Sequence, residues 1–153
     1  MGSIQNPKSK IQNRMTIIRV AQARDAEALL VLAKTLATSF VVDPKAFRVS
    51  FSELLSSPSG HLAVAEVDKD IVGYILGFDH YTFYANGRVA WVEEIMVDAD
   101  YRKMGIGRSL MQSFEGWATD RDAKLVALAT RRAAKFYKAL GYEESATYWR
   151  KLL

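Results

Sequence analysis

Apolar and polar residues alternate along the chain with two different periods, and the change between the periods predicts where strands and helices lie. Residues 16–21 form a short β-branched run, which is typical of a strand. Apolar residues then recur at helical spacing over residues 26–37, with Asp25 placed to cap that helix. A second helix is predicted from Pro44, because proline suits the first turn of a helix.

Three strands are predicted in the middle of the chain. Residues 61–67 alternate between apolar and polar positions and residues 71–80 form a second strand. A short polar turn separates the two, which predicts a β-hairpin. Asn86-Gly87 is a further turn signal, and the long apolar run at residues 88–97 follows it as a strand.

The last third of the chain again mixes helical and strand patterns. We predict a helix over residues 107–120, a strand over 124–129, a helix over 131–140 ended by Gly141, and a final strand region over 142–152. The complete order is β-α-α-β-β-β-α-β-α-β, which predicts a mixed α+β sheet with helices on both faces. The strands that flank the first β-α-β crossover should be parallel and joined with a right-handed connection.

The composition excludes several classes of site. The 153 residues contain no cysteine and two histidines, His61 and His80. A disulfide framework, a thiol nucleophile, a cysteine-ligated metal and a three-histidine zinc site are therefore impossible, and we expect no metal. His61 follows a Ser-Gly pair at the start of a strand and is expected to be exposed.

The charge is mildly basic, at a formal +4, and no basic run is dense enough to predict a nucleic-acid partner. No apolar stretch approaches the roughly 18 residues that a membrane span needs. Residues 1–14 form a polar leader without the apolar core of a signal peptide. We therefore expect a flexible leader, one domain over residues 15–153, no membrane contact and a cytoplasmic location.

The most informative segment is a glycine-rich turn between a predicted strand and a predicted helix. Gly105 and Gly107 let the backbone turn tightly and clear side chains from the amides at the helix N-terminus. Free N–H groups and the positive end of the helix dipole make an anion site, and Arg102, Lys103 and Arg108 add positive charge. The pattern fits neither the P-loop nor the dinucleotide-binding fingerprint, but it predicts a phosphate ligand.

Two motifs in this region resemble those of one family. Arg102-x-x-Gly105-x-Gly107, after a strand ending in Ile-x-Val, resembles the acetyl-CoA-binding motif of the GNAT N-acetyltransferases. Residues 130–142, with the pattern T-x-x-A-x-x-F-Y-x-x-x-G-Y, resemble the second signature of that family, with Thr130 where asparagine is usual. The resemblance covers residues 16–153, and the order of elements is similar too.

The resemblance implies acetyl-CoA as co-substrate and names the residues that would hold it. The turn would bind the pyrophosphate through its amides and nearby charges, at Arg102, Lys103, Met104, Gly105, Ile106, Gly107 and Arg108. The strand before it would pair with the pantetheine arm through its backbone, at Ile95, Met96 and Val97. The second motif would line the far side near the thioester, at Thr130, Ala133, Phe136 and Tyr137.

The implied reaction moves an acetyl group to a primary amine by direct attack, and it needs an acid and a base. Tyr137 is the candidate acid, because a phenol can donate a proton to the leaving thiolate. Glu93 and Glu94 are adjacent in a strand, so we expect them to face opposite sides. Glu93 would share a face with Ile95 and Val97 and is the candidate base. The alternatives are that Glu93 only binds the charge of the amine, that Glu94 is the base, or that a water chain is.

The identity of the acceptor is the property that the sequence indicates least clearly. Residues 46–51 and 142–145 resemble stretches of aminoalkylphosphonate acetyltransferases, which favours a small, anionic amine with Arg48 as its partner. Tyr81 and Tyr84 would equally cage an amine by cation–π contact. The candidate substrate-binding residues are therefore Phe47, Arg48, Tyr81, Tyr84 and Glu93.

Three further readings stay open at this stage. The acceptor could be a protein N-terminus or lysine rather than a small molecule. The chain could also be a non-catalytic module that binds acyl-CoA and regulates a partner, although Glu93 and Tyr137 favour an enzyme. The apolar end at residues 148–153 would either serve a homodimer contact or close the sheet.

Overall fold

The computed structural model of the chain describes residues 14–153, so the predicted leader lies, apart from Arg14, outside the described residues. Five strands and four helices follow one another, with short 3-10 turns at Ala23–Asp25 and Ala99–Tyr101. The strands are β1 (Thr16–Val20), β2 (Gly60–Val67), β3 (Asp70–Thr82), β4 (Gly87–Val97) and β5 (Val126–Leu128). The helices are α1 (Ala26–Leu36), α2 (Pro44–Ser56), α3 (Ile106–Asp120) and α4 (Ala134–Ala139).

One mixed sheet contains all five strands, in the order β1-β2-β3-β4-β5. The first three neighbouring pairs are antiparallel, and β4 and β5 are parallel. The predicted fold class is therefore confirmed, including the β-α-β crossover that joins β4 to β5 through α3.

Each face of the sheet has its own apolar core. The core under α1 and α2 contains Leu29 and Phe51 from the helices and Leu62 and Leu76 from the strands. On the opposite face, α3 contributes fully buried residues, among them Phe114, and α4 packs beside it. The helices therefore lie on both faces, as the pattern predicts, and residues of one strand reach both cores.

Local side-chain chemistry explains several helix and strand ends. The Asp43 carboxylate accepts a hydrogen bond from the Ala46 amide at 2.7 Å, which caps α2 just before Pro44. The predicted cap at Asp25 is wrong. Its carboxylate is buried and makes no capping bond to α1. It instead pairs with Arg19 at 2.8 Å and accepts the Gln22 amide at 2.8 Å, which occupies its oxygens.

The end of the chain departs from the prediction. No strand forms in residues 142–152 of the described chain, so the last element of the predicted order is wrong, and Trp149 is 87% exposed. A strand needs a partner edge, and β5 offers an outer edge of only three residues. Helix α4 is also shorter than residues 131–140, although Gly141 ends it with φ of +91° as predicted. A homodimer contact through this end stays a prediction.

His61 is half-buried rather than exposed, so that prediction is wrong. Its ring stacks on Trp117, with 5.0 Å between the ring centres, and its Nε2 atom is buried without a hydrogen-bond partner among the described residues. His61 lies opposite Gly77 in the β2–β3 pair, and a Cβ at Gly77 would overlap the Phe114 ring. The missing side chain at Gly77 therefore lets α3 approach the sheet closely enough to cover His61.

No helix in residues 14–153 is long and apolar enough to cross a membrane.

Candidate acyl-transfer site

Strands β4 and β5 separate next to the glycine-rich turn. Their parallel pairing begins at Ala90 and ends where Val92 lies opposite Leu128. Strand β4 continues to Val97, whereas β5 stops at Leu128. The last five residues of β4 therefore have no β-strand neighbour on the β5 side in the described chain, and an extended molecule can lie there.

The glycine-rich turn presents backbone amides at the N-terminus of α3. Gly105 is the N-cap, with a left-handed φ of +82°, and Lys103 has a φ of +61°. The Gly105 carbonyl accepts the Ser109 amide at 3.0 Å, which starts the helix. Within the described chain, the amides from Lys103 to Arg108 donate to no backbone or side-chain group, so they are free to bind an anion.

Gly107 also sets the distance between the turn and α4. A Cβ at this position would lie 3.2 Å from the Phe136 ring, which is closer than ordinary contact. The Phe136 ring in turn meets Tyr137 edge to face at 5.0 Å. The two predicted motifs therefore touch each other in the fold.

Two predicted cofactor-binding residues make local contacts. Arg102 donates from Nε to the Val97 carbonyl at 3.0 Å, so this side chain folds back onto β4. That carbonyl has a second lone pair and can still accept another bond. The Thr130 hydroxyl accepts the Ala133 amide at 3.0 Å, at the start of the turn that leads into α4.

Tyr137 is buried on the α3 face of the sheet, in the same core as Ile106. Burial raises the pKa of its phenol above the ordinary value. The hydroxyl therefore stays protonated at neutral pH and can act as a donor there.

A β-bulge brings Glu93 and Glu94 to one cavity. In the β3–β4 pair, Leu76 lies opposite Glu94 and Gly77 lies opposite Val92, so Glu93 is the additional residue. Both residues line a cavity on the α1–α2 face. The prediction that they face opposite sides is therefore wrong, because the bulge interrupts the alternation on which it rests.

The cavity lies between α1, α2 and the strands β2 to β4, and its volume is about 420 Å³. Its walls are mainly apolar. Phe47 and Phe51 form one wall, with their rings stacked at 5.7 Å, and Leu29, Leu62 and Leu76 form others.

Two polar residues of this cavity are Glu94, which the sequence offers only as an alternative base, and Tyr74, which the sequence does not indicate. Glu94 is partly buried, and burial together with the charge of Glu93 raises the pKa of its carboxyl. Tyr74 is 3% exposed, and its hydroxyl has no partner among the described residues. Burial, and then the charge of Glu94, raise the pKa of Tyr74. Tyr74 sits in an unbroken apolar run, so no local pattern could have identified it.

The profile of the "Acetyltransferase (GNAT) family" matches residues 26–142, which span α1 to the residue after Gly141. The chain belongs to this family. The family resemblance, on which the expectations of an acetyltransferase and of acetyl-CoA as acyl donor rest, is thereby confirmed.

Individual members of the family are similar in sequence to this chain over part or most of its length. An uncharacterized N-acetyltransferase of Methanocaldococcus jannaschii is 32% identical over 99 residues, which are 61% of this chain and 44% of that protein. This chain therefore spans less than half the length of that relative. The aminoalkylphosphonate N-acetyltransferase of Salmonella typhimurium is 29% identical over 141 residues, 89% of this chain and 90% of that one.

Solved GNAT structures share the fold. Glucosamine-6-phosphate N-acetyltransferase from Arabidopsis thaliana superposes with a TM-score of 0.81 at 19% identity, over 90% of this chain and 98% of that one. A similarity at this low identity supports the shared fold and no conclusion about the substrate.

The GNAT fold places the predicted acceptor residues in two groups. Phe47 and Glu93 line the cavity. Arg48 lies outside its lining and pairs with Glu27 at 3.2 Å on the surface. Tyr81 and Tyr84 are 73% and 74% exposed and also lie outside it. The fold brings the first group together, and the substrate roles predicted for all five residues stay predictions.

Proposed function

We propose that this chain transfers the acetyl group of acetyl-CoA to a primary amine of a small molecule. The observation that carries the proposal is the position of β4 beyond Val92. This segment borders the separation from β5 on one side and, at Glu93 and Glu94, lines the apolar cavity. A donor and an acceptor bound at these two places would meet at the same strand.

The residues around the turn fit the phosphate end of acetyl-CoA. The amides from Lys103 to Arg108 have no partner within the described chain, and three exposed cationic side chains lie nearby, Arg102, Lys103 and Arg108. Ile95, Met96 and Val97 offer backbone groups to the pantetheine arm. Thr130, Ala133, Phe136 and Tyr137 would lie on its other side.

Acetyl-CoA would supply an acetyl group already activated as a thioester, so that a C–N bond forms to the amine nitrogen while the C–S bond breaks. The protein then has two proton transfers to provide. Glu93, with Glu94 beside it, would accept the proton that the amine loses. The phenol of Tyr137 would donate a proton to the departing sulfur. No covalent enzyme intermediate is required, which agrees with a chain that contains no cysteine.

A small acceptor is favoured over a protein. The cavity is a bounded space whose volume suits a small ligand. The full-length similarity to an aminoalkylphosphonate acetyltransferase also supports this class, although its particular substrate does not follow.

The proposal is tested by mixing the chain with acetyl-CoA and a panel of small primary amines and a lysine-containing peptide, then following release of free thiol. We expect release above the hydrolysis rate with at least one small amine and none above it with the peptide. Preferential reaction of the peptide would favour a protein acceptor.

A regulatory module gives a different result. In that case CoA would raise the melting temperature of the chain, while no amine would accelerate thiol release.

A further inference from the structure

The charges of the cavity on the α1–α2 face differ from what the sequence resemblance implies. The residues that line it include three acidic ones, Glu93, Glu94 and Asp43, the last of which caps α2 with its carboxylate. Within the described chain, none of the lining residues is lysine, arginine or histidine. Arg48, the expected partner of an anionic acceptor, is on the surface with Glu27. The cavity therefore attracts cations and repels anions.

The apolar walls set a second requirement. Phe47 and Phe51 are stacked with an angle of 13° between their ring planes, and they present one aromatic wall. Leucine side chains face them from α1 and from the sheet. A phosphonate or carboxylate placed among these groups would lose its hydration without gaining a counter-charge. An aryl or alkyl group would instead be transferred out of water.

The Tyr74 hydroxyl gives an independent indication of a ligand. It is buried in the cavity wall and has no hydrogen-bond partner in residues 14–153. A buried hydroxyl without a partner is unfavourable. The N–H of a bound amine can donate to the phenol oxygen and satisfy it, close to the Glu94 carboxylate whose charge acts on this phenol.

From these three features we infer that the acceptor is a primary amine with an aryl or alkyl body and no acidic group, bound in this cavity between the aromatic wall and the carboxylates. This inference rests on the proposed acetyl transfer and narrows its substrate class. It separates the chain from relatives that act on phosphonate-bearing amines, since the counter-charge for a phosphonate is absent from the described cavity lining.

Matched ligands test the inference directly. 2-Phenylethylamine and phenylalanine differ by one carboxylate, and hexylamine and 2-aminoethylphosphonate contrast an alkyl body with an anionic one. Binding of each would be measured by calorimetry to the full chain, with and without CoA. We expect each acid-free amine to bind at least about 100-fold more tightly than its acidic counterpart. Equal or tighter binding of the acidic amines, or no binding of either acid-free amine, would overturn the inference.

Variants locate the bound amine. Tyr74→Phe removes only the hydroxyl and should weaken binding of 2-phenylethylamine about tenfold. Tyr148→Phe, at an exposed tyrosine, is the matched control and should leave binding unchanged. Equal binding by the Tyr74→Phe and Tyr148→Phe variants would contradict the placement of the amine at the Tyr74 hydroxyl.

Thiol release with the same ligands separates this inference from the proposed function. Selective binding of acid-free amines without thiol release would support the ligand class inferred for the cavity and contradict acetyl transfer to that ligand. Thiol release that is faster with 2-aminoethylphosphonate than with hexylamine would support acetyl transfer and overturn the inference.

Discussion

Glu93 and Glu94 line one cavity although they are neighbours in a strand, because Glu93 is the additional residue of a β-bulge opposite Leu76 and Gly77. Two carboxylates in one cavity oppose each other's ionisation. The charge of Glu93 accordingly contributes to the raised pKa of Glu94. Replacing Glu93 by a neutral residue should therefore lower the pKa of Glu94.

Replacing Glu93 by glutamine should lower kcat/KM by about 10²–10⁴ if this side chain is the base. The loss should be largest at low pH, where removing a proton from the amine is hardest. Glu94→Gln should have a smaller effect on kcat/KM, because it leaves the Glu93 carboxylate in place. The measurement is kcat/KM between pH 5 and 9.

The reverse pattern would assign the base to Glu94. In that case Glu94→Gln would abolish activity. Glu93→Gln would retain it with an acid limb at lower pH, because loss of the Glu93 charge lowers the pKa of Glu94. Glu53→Gln, at an exposed position of α2, is the control and should leave the profile unchanged.

Tyr137→Phe should lower kcat by about 10²-fold while the affinity for CoA changes little, because only the proton donor is removed. Burial raises the pKa of Tyr137, so the wild-type acid should not be titrated below about pH 10. Single-turnover thiol release against pH provides the measurement. Unchanged kcat in Tyr137→Phe would exclude the phenol as the acid, and Tyr148→Phe serves as the exposed control.

Alanine substitution at the two glycines Gly107 and Gly116 of α3 should have different effects on CoA affinity and on stability. Gly107→Ala places a Cβ 3.2 Å from the Phe136 ring, so the ring must move and the affinity for CoA should fall about tenfold. Gly116→Ala meets no atom within 4 Å and should raise the free energy of unfolding by about 0.5–1 kcal/mol without affecting CoA. Calorimetry with CoA and urea unfolding measure the two effects, and equal CoA affinity in both variants would contradict this role of Gly107.

His61 should make the protein less stable in acid. Burial lowers the pKa of its imidazole in the folded state, so the unfolded chain binds the proton more readily. Its contribution is complete above the unfolded pKa of about 6.5 and is lost as the pH falls below that value. The free energy of unfolding should thus fall less between pH 7 and 5 in His61→Gln than in the wild type. His80→Gln, at an exposed position, should leave the slope unchanged, and equal slopes for all three proteins would contradict the assignment.

Regular periodicity made most of the fold predictable, whereas features that depend on contacts between distant residues were not. The helical spacing of apolar residues and the apolar and β-branched runs of β1 to β4 locate most of these elements to within a few residues. The bulge at Glu93 depends on the register against Gly77, which no local pattern contains. Burial of His61 likewise depends on how closely Phe114 approaches Gly77.

The candidate site divides in the same way. The glycine-rich turn and Tyr137 belong to motifs of fixed spacing and were found from the sequence. Tyr74 lies in an apolar strand whose composition suggests only a core position, and its cavity exists because α1 and α2 cover the sheet. A short resemblance predicts Arg48 as the partner of an anionic acceptor, but in the fold its guanidinium pairs with Glu27 on the surface.

The shortness of β5 gives the two sides of the site different mechanical properties. Strand β5 pairs with β4 over three residues, whereas the cavity on the α1–α2 face rests on long antiparallel strands. Amide hydrogens of β5 and α4 should therefore exchange through local opening, at a smaller free-energy cost than those of β3 and β4. A nucleotide could enter and leave on the β5 side while the acceptor cavity keeps its shape, and a bound nucleotide would slow exchange chiefly in β5 and α4.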